Sequence, residues 1–204
     1  MSKISLIFYW VFFAVLNLKA SEYEITVLAT NTANFGGIGE WSFSALLESD
    51  DEKILFDTGF NENTVLHNAN LLGKDLSQVE KVILSHFHGD HTGGLIKLRK
   101  TFKEINPKAF STVYVADGFF EQRYDENGEL RGFIGGFNDV DNFLKETDDL
   151  GIRFVILKEP IEISKNLYLS GPVERIHERV VVSPGFYLKK DGLLLDDLVL
   201  DDQS

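Results

Sequence analysis

The sequence predicts an α/β protein in which strands and helices alternate and the sheets form layers. Short apolar runs typical of strands alternate with segments whose apolar residues recur at helical spacing. The chain has 204 residues, of which 44% are hydrophobic and 25% are charged, an ordinary globular composition with enough apolar residues for one sizeable core. We therefore expect a single domain.

The strands are predicted from alternating or continuously apolar runs bounded by turn residues. They cover residues 23–30, 41–48, 53–56, 81–85, 112–116, 153–157 and 166–171. The helices are predicted where apolar residues lie three and four positions apart, over 63–72, 95–102 and 140–150. Residues 31–40 form a glycine-rich loop, and the turn at 49–52 makes the second and third strands antiparallel neighbours.

Residues 1–20 have the layout of a secretory signal peptide. Lys3 precedes an apolar run from Ile4 to Leu18, and the small residue Ala20 is followed by the polar stretch SEYE. We expect cleavage after Ala20 and a mature domain over residues 21–204 that is exported, to the periplasm or outside the cell. The alternative is an uncleaved membrane anchor, but the run is shorter than the roughly 20 apolar residues that a spanning helix needs. After cleavage we expect no stable membrane span.

Charge and cysteine content limit the partners and the chemistry. The chain has 20 basic and 32 acidic residues, a formal net charge of −12, so the phosphates of nucleic acid would be repelled and a small-molecule substrate is expected instead. There is no cysteine, so the chain has no disulfide, and any metal ion must be held by nitrogen and oxygen ligands.

Three of the five histidines and one aspartate lie within six positions of the stretch VILSHFHGDHTGG, residues 82–94, on a strand-to-helix connection. In an extended segment His86 and His88 point the same way and can chelate one metal ion. Gly89 lets the backbone turn, so that Asp90 and His91 reach the same cavity or a neighbouring one. These donors suit zinc, and also iron or manganese, and such a site supplies a metal-bound hydroxide near neutral pH. Whether Asp90 acts as ligand, base or both is left open.

The segment SHFHGDHTGGL resembles the HxHxDH signature of the metallo-β-lactamase superfamily, and ILFDTG resembles the first motif of that superfamily. Four further stretches resemble the branch called dihydropteroate-synthase-like or ribofuranosylaminobenzene-phosphate-synthase-like. They are WSFSALLE, LHNANLLGKDLSQVEKVILSH, SGPVER and DDLVLDDQS.

This resemblance implies an αββα sandwich that binds two divalent metal ions, with zinc favoured over manganese or iron. His86 and His88 would hold the first ion, and Asp90 and His91 would supply ligands to the second. Asp57 would orient the metal-binding loop through hydrogen bonds. Asp90 is also the expected catalytic residue, holding the hydroxide in orientation.

The superfamily pattern requires further ligands downstream of His91, where only His177 is found. In the branch it resembles, the third histidine follows the stretch matching DDLVLDDQS, so we expect the second half of the fold to be incomplete through a C-terminal truncation. The alternative uses His177 as the third ligand, with a bridging aspartate from the terminal acidic run. The candidates for that bridge are Asp196, Asp197, Asp201 and Asp202.

The expected function is a metal-dependent hydrolase whose metal-bound hydroxide attacks a small ester, amide or phosphoester. The main alternative is a non-catalytic remnant or metal-binding module of the same fold. A third possibility is a binding module that uses the cleft without chemistry. Arg123 and Arg131, in the aromatic and glycine-rich segment 118–136, are candidates to meet an anionic group of the substrate.

Overall fold

The computed structural model describes residues 23–49, 51–173, 185–197 and 203. In this part of the chain the strands are β1 (Glu24–Ala29), β2 (Ser44–Glu48), β3 (Lys53–Phe56), β4 (Val79–Ile83), β5 (Thr112–Ala116), β6 (Arg153–Leu157), β7 (Ile161–Ser164), β8 (Leu167–Leu169), β9 (Tyr187–Lys190) and β10 (Leu193–Asp196). The helices are α1 (Thr64–Leu71), α2 (Gly89–Thr92), α3 (Leu95–Phe102) and α4 (Val140–Asp149). The predicted signal peptide and His177 lie outside the described residues.

The first six strands form one mixed sheet in sequential order, and the remaining strands form two hairpins, β7–β8 and β9–β10. β1 pairs with β2, and β2 with β3, in the antiparallel sense. The pairs β3–β4, β4–β5 and β5–β6 are parallel, because a helical connection carries the chain back before each new strand. The carboxyl ends of β3 and β4 therefore lie next to each other at the same edge of the sheet.

Each face of the sheet buries its own apolar side chains. Leu46, Leu55, Val82 and Val113 are partners across four neighbouring strands, and none is exposed to solvent. They join a core to which α1, α3 and α4 contribute Val65, Ala69, Leu95, Leu98, Val140 and Phe143. On the opposite face, Ile54, Ile83 and Leu157 pack with residues of the β7–β8 hairpin. Alternation of side chains along each strand produces these two faces.

The predicted α/β class is confirmed, and β3, β5, β6 and α3 match their predicted bounds. Two differences concern the histidine motif. β4 ends at Ile83 rather than residue 85, since the amide of Ser85 donates to the Asp57 carboxylate instead of to a strand. Residues 89–92, predicted as part of a connection, form the single helical turn α2. No helix within the described ranges has the length and hydrophobicity needed to cross a bilayer.

Candidate metal centre

The centre lies where β3 and β4 end, and the Asp57 carboxylate is its buried anchor. Asp57 is 1% exposed and has a φ of 54°, a left-handed conformation that aspartate tolerates better than most residues. Its Oδ1 accepts a hydrogen bond from the Ser85 amide at 2.7 Å, and its Oδ2 accepts one from the Ser85 hydroxyl at 2.9 Å. Burial raises the pKa of Asp57, while hydrogen bonds from His91 and Ser85 act in the opposite direction.

Asp57 also determines how His91 presents its ring. The Nδ1 atom of His91 lies 2.7 Å from Asp57 Oδ2. Both carboxylate oxygens already accept hydrogen bonds from Ser85, so the carboxylate accepts from His91 as well. Nδ1 of His91 therefore carries the proton and Nε2 keeps its lone pair. Metal-binding histidines commonly have this arrangement, since the carboxylate fixes both the tautomer and the ring orientation.

Ser85 extends the same control to His86. Its hydroxyl, which donates to Asp57, lies 2.9 Å from His86 Nδ1 and so accepts from that nitrogen. His86 Nε2 then keeps its lone pair and lies 3.0 Å from His88 Nδ1. Two nitrogens bound at 2.0–2.1 Å to one tetrahedral ion would be about 3.3 Å apart. Burial lowers the pKa of His88, which favours the neutral imidazole that metal binding requires.

Asp90 and His91 form a second pair of donors. Asp90 Oδ2 lies 3.6 Å from His91 Nε2, the nitrogen that does not contact Asp57. The helical turn α2 is held in place because the His91 carbonyl accepts from the amide and the hydroxyl of Thr58, at 2.7 and 3.0 Å. The structure thus brings Asp57, His86, His88, Asp90 and His91 together in one cluster.

The two glycines that close the motif allow this turn to pack against the loop after β3. A Cβ atom on Gly93 would lie 2.0 Å from the carbonyl oxygen of Phe60, and one on Gly94 would lie 2.2 Å from that of Thr58. No side chain fits at either position. The double glycine in the sequence is therefore explained by backbone packing beneath the histidines.

The donors form pairs rather than a complete coordination sphere. Among the described residues, no group of three or more His, Asp or Glu side chains is arranged to hold one metal ion. Of the candidate bridging aspartates, Asp196 is exposed, and Asp197 is buried with Oδ2 3.4 Å from Arg123 Nε. His177, Asp201 and Asp202 lie outside the described residues. The described donors lie as two pairs, His86 with His88 and Asp90 with His91.

A cavity of about 610 Å³ opens beside the cluster. Its lining combines two of the motif residues with aromatic side chains and one arginine: Trp41, Phe60, His88, Asp90, Arg131, Gly132, Phe133, Asn138 and Phe186. The sequence singles out Arg131 as a candidate to meet an anionic group, but it does not single out Trp41, Phe60 or Phe186, which come from distant segments. Sequence reasoning also missed Ser85, although a hydroxyl directly before the first histidine is a visible signal.

A family model described as the metallo-beta-lactamase superfamily matches residues 42–162. The 7,8-dihydropterin-6-methyl-4-(beta-D-ribofuranosyl)-aminobenzene-5'-phosphate synthase of Methanocaldococcus jannaschii is 29% identical over 195 residues, 90% of this chain and 63% of that protein. The uncharacterized protein MJ0448 of the same organism is 32% identical over 178 residues, 87% of this chain and 63% of that protein.

Among solved structures, Tm1679, described as a metal-dependent hydrolase of the beta-lactamase superfamily, is similar with a TM-score of 0.63 and 28% identity. The alignment covers 89% of this chain and 60% of Tm1679. The chain therefore spans less than two thirds of the length of each of these three relatives.

Proposed function

Because the chain belongs to the metallo-beta-lactamase superfamily, we propose that it is a metal-dependent hydrolase that cleaves a small ester, amide or phosphoester with the help of two divalent cations. The hydrolase-like fold is shared with Tm1679. The observation that carries the proposal is the placement of His86 Nε2 and His88 Nδ1 3.0 Å apart, beside a histidine whose other ring nitrogen is bound by a buried carboxylate.

The donor chemistry fits such ions. Imidazole and carboxylate ligands suit zinc, and also manganese or iron, and the chain contains no thiol that would favour a softer site. His86 and His88 would hold one ion, and Asp90 and His91 would contribute to the second. When bound, the ions would polarise a substrate oxygen and lower the pKa of water toward neutrality.

The protein residues would provide orientation and access. Asp57 and Ser85 keep the Nε2 atoms of His91 and His86 unprotonated, so that both rings are ready to act as ligands. The Asp90 carboxylate lines the cavity, where it would accept a hydrogen bond from the attacking water and direct it to the substrate. The volume of about 610 Å³ is suitable for a small molecule.

The net charge and the expected export of the protein also limit which substrates we propose. A formal net charge of −12 disfavours nucleic acid as a partner. The signal-like residues 1–20 support export, which would separate the protein from the phosphorylated ribose precursors that a synthase of a ribofuranosyl phosphate needs inside the cell. We therefore favour hydrolysis over the synthase reaction for which the archaeal relative is named.

The second candidate is a metal-binding module without turnover. It is favoured by the absence, within the described part of the chain, of a third ligand for either donor pair. Such a module would bind one ion weakly through the two histidines, whereas the hydrolase would bind two ions tightly.

Metal titration and turnover separate these candidates. The purified chain, stripped with EDTA, is titrated with Zn²⁺ and Mn²⁺ by calorimetry and assayed with bis(p-nitrophenyl) phosphate and p-nitrophenyl acetate. The hydrolase is supported by two bound ions and by turnover that His88→Ala and Asp90→Asn abolish. His67→Ala is the matched control, because His67 is exposed and contacts Gly36 in another part of the molecule. One weakly bound ion without turnover supports the module, and no bound ion overturns both.

A further inference from the structure

The two arginines of the segment 118–136 have different roles in the structure. Arg123 is 2% exposed, and its guanidinium lies 3.7 Å above the ring of Phe87. It donates to the carbonyls of residues 118, 119 and 121 and to the buried Asp197 carboxylate. Its hydrogen-bonding capacity is used inside the protein, so Arg123 is a packing residue rather than a candidate for ligand recognition.

Arg131 instead lines the cavity beside the metal-ligand candidates and is exposed. Its Nη1 donates to the carbonyl of Gly185 at 3.0 Å, and its guanidinium carbon lies 4.8 Å from the centre of the Phe186 ring. These contacts orient the group, yet within the described residues only one of its five N–H donors has a hydrogen-bond acceptor. A guanidinium group that is oriented in this way can donate two parallel hydrogen bonds to two oxygens of a carboxylate or phosphate.

The same cavity has aromatic walls that solvent reaches. Trp41 is 79% exposed, Phe60 48% and Phe133 37%. The rings of Phe60 and Phe133 lie 5.8 Å apart between centroids, so they form a continuous apolar surface. Exposed aromatic side chains grouped around a cavity commonly mark a ligand-binding site, because burying them against a ligand removes apolar surface from water.

We infer that the cavity takes a small organic oxyanion carrying a flat ring, with Arg131 as the residue that recognises the anionic group and the aromatic walls as the surface that receives the ring. This inference rests on the proposed function, since it names the substrate class of the same cavity. Arg131 brings a positive charge to the same cavity as the Asp90 carboxylate, which by itself would repel an anion.

Ligand binding without metal tests the inference. Phenylphosphonate, benzoate, methylphosphonate and benzyl alcohol are titrated into the 204-residue chain in EDTA, with binding followed by ligand-observed NMR. Phenylphosphonate or benzoate should bind saturably, and the stronger of the two shows which oxyanion the site prefers. Methylphosphonate lacks the ring and benzyl alcohol lacks the charge, so each should bind at least about tenfold more weakly.

Variants assign the effect to Arg131. Arg131→Gln should weaken phenylphosphonate binding by about tenfold or more, and Arg131→Lys, which keeps the charge but loses the planar fork, should fall between Arg131→Gln and the wild type. Arg153→Gln is the matched control, because it removes the same charge from an exposed arginine on β6 and should change affinity less than about twofold.

The outcomes separate this inference from the proposed function. Arg131-dependent binding of phenylphosphonate in a chain that binds no metal would leave the inference standing and overturn the hydrolase. Metal binding and turnover with no phenylphosphonate or benzoate binding at millimolar concentration, or with binding that Arg131→Gln does not weaken, would overturn the inference alone.

Discussion

Replacing Asp57 with asparagine tests how the histidine tautomers are set. In the wild type, Oδ1 accepts from the Ser85 amide and Oδ2 lies 2.7 Å from His91 Nδ1. The Ser85 amide can only donate, so the single carbonyl oxygen of asparagine must face it, and the amide nitrogen of asparagine then faces His91. That nitrogen also only donates. His91 must therefore accept through Nδ1 and carry its proton on Nε2, where it blocks metal binding.

The magnitude follows from the hydrogen bonds that the substitution removes. Changes to groups that orient a metal ligand cost about 10–100-fold in metal affinity, which corresponds to about 1.4–2.7 kcal/mol. The stability of the fold should fall by a similar amount, about 1–3 kcal/mol, because the substitution removes hydrogen bonds to a charged acceptor but also removes a buried charge. Asparagine tolerates the φ of 54° as aspartate does, so the backbone should remain in place.

Three measurements check this prediction: zinc affinity by calorimetry, the free energy of unfolding by urea denaturation, and the His91 tautomer by nitrogen-15 NMR. Asp75→Asn is the matched control, because Asp75 accepts from the amide and hydroxyl of Ser77 in the same pattern but has no histidine partner in the described structure. Unchanged zinc affinity in Asp57→Asn, or a His91 ring that keeps its proton on Nδ1, would refute the reasoning.

Three further predictions concern stability. Gly93→Ala should lower the free energy of unfolding by about 3 kcal/mol or more in chemical denaturation, because its Cβ would lie 2.0 Å from a backbone oxygen. Gly128→Ala is the comparison: space around Gly128 is open, and only its left-handed φ of 79° opposes a side chain, so the cost should be about 1–2 kcal/mol. Arg123→Met should cost about 3–5 kcal/mol in the same assay, since it removes the cation beside the buried Asp197 carboxylate; a loss under about 1 kcal/mol would contradict this role. Burial tends to raise the pKa of Glu48, but its hydrogen bonds from Lys74 and Lys53 outweigh that effect and the pKa lies below its ordinary value of 4.5. Its contribution to stability should therefore be present above about pH 4.5 and lost as the pH falls through the lower folded-state pKa, and Glu48→Gln should flatten this part of the stability curve in EDTA.

The secondary structure was predictable where one signal was strong. The strands at 53–56, 112–116 and 153–157 were found to the residue, because runs of consecutive apolar or β-branched residues mark strands buried in a sheet. The β9–β10 hairpin was missed, although its turn at Asp191 and Gly192 is an Asp-Gly pair with φ values of 50° and 80°. That pair is a strong hairpin signal, but the flanking residues YLKK and LLLD lack a clear alternation of apolar and polar side chains.

Some features of the site lie within one chain segment, and others arise from contacts between distant segments. The candidate ligands His86, His88, Asp90 and His91 were visible in the sequence because they lie within six positions and one chain segment carries them all. The contacts of Ser85 and His91 with Asp57 join residues 28 and 34 positions apart, and they arise because β3 and β4 are parallel neighbours. No local pattern specifies which distant side chains meet.

The sequence by itself determined the class of fold, the family and the chemistry of the donors, because these depend on residue types and on spacings within one element. Only the tertiary structure decided that Arg131 faces the cavity while Arg123 is buried against Asp197, and that Trp41, Phe60 and Phe186 share one wall. Those choices depend on how separate elements pack around one sheet, and the packing free energy is a property of the whole assembly of contacts rather than of any single segment.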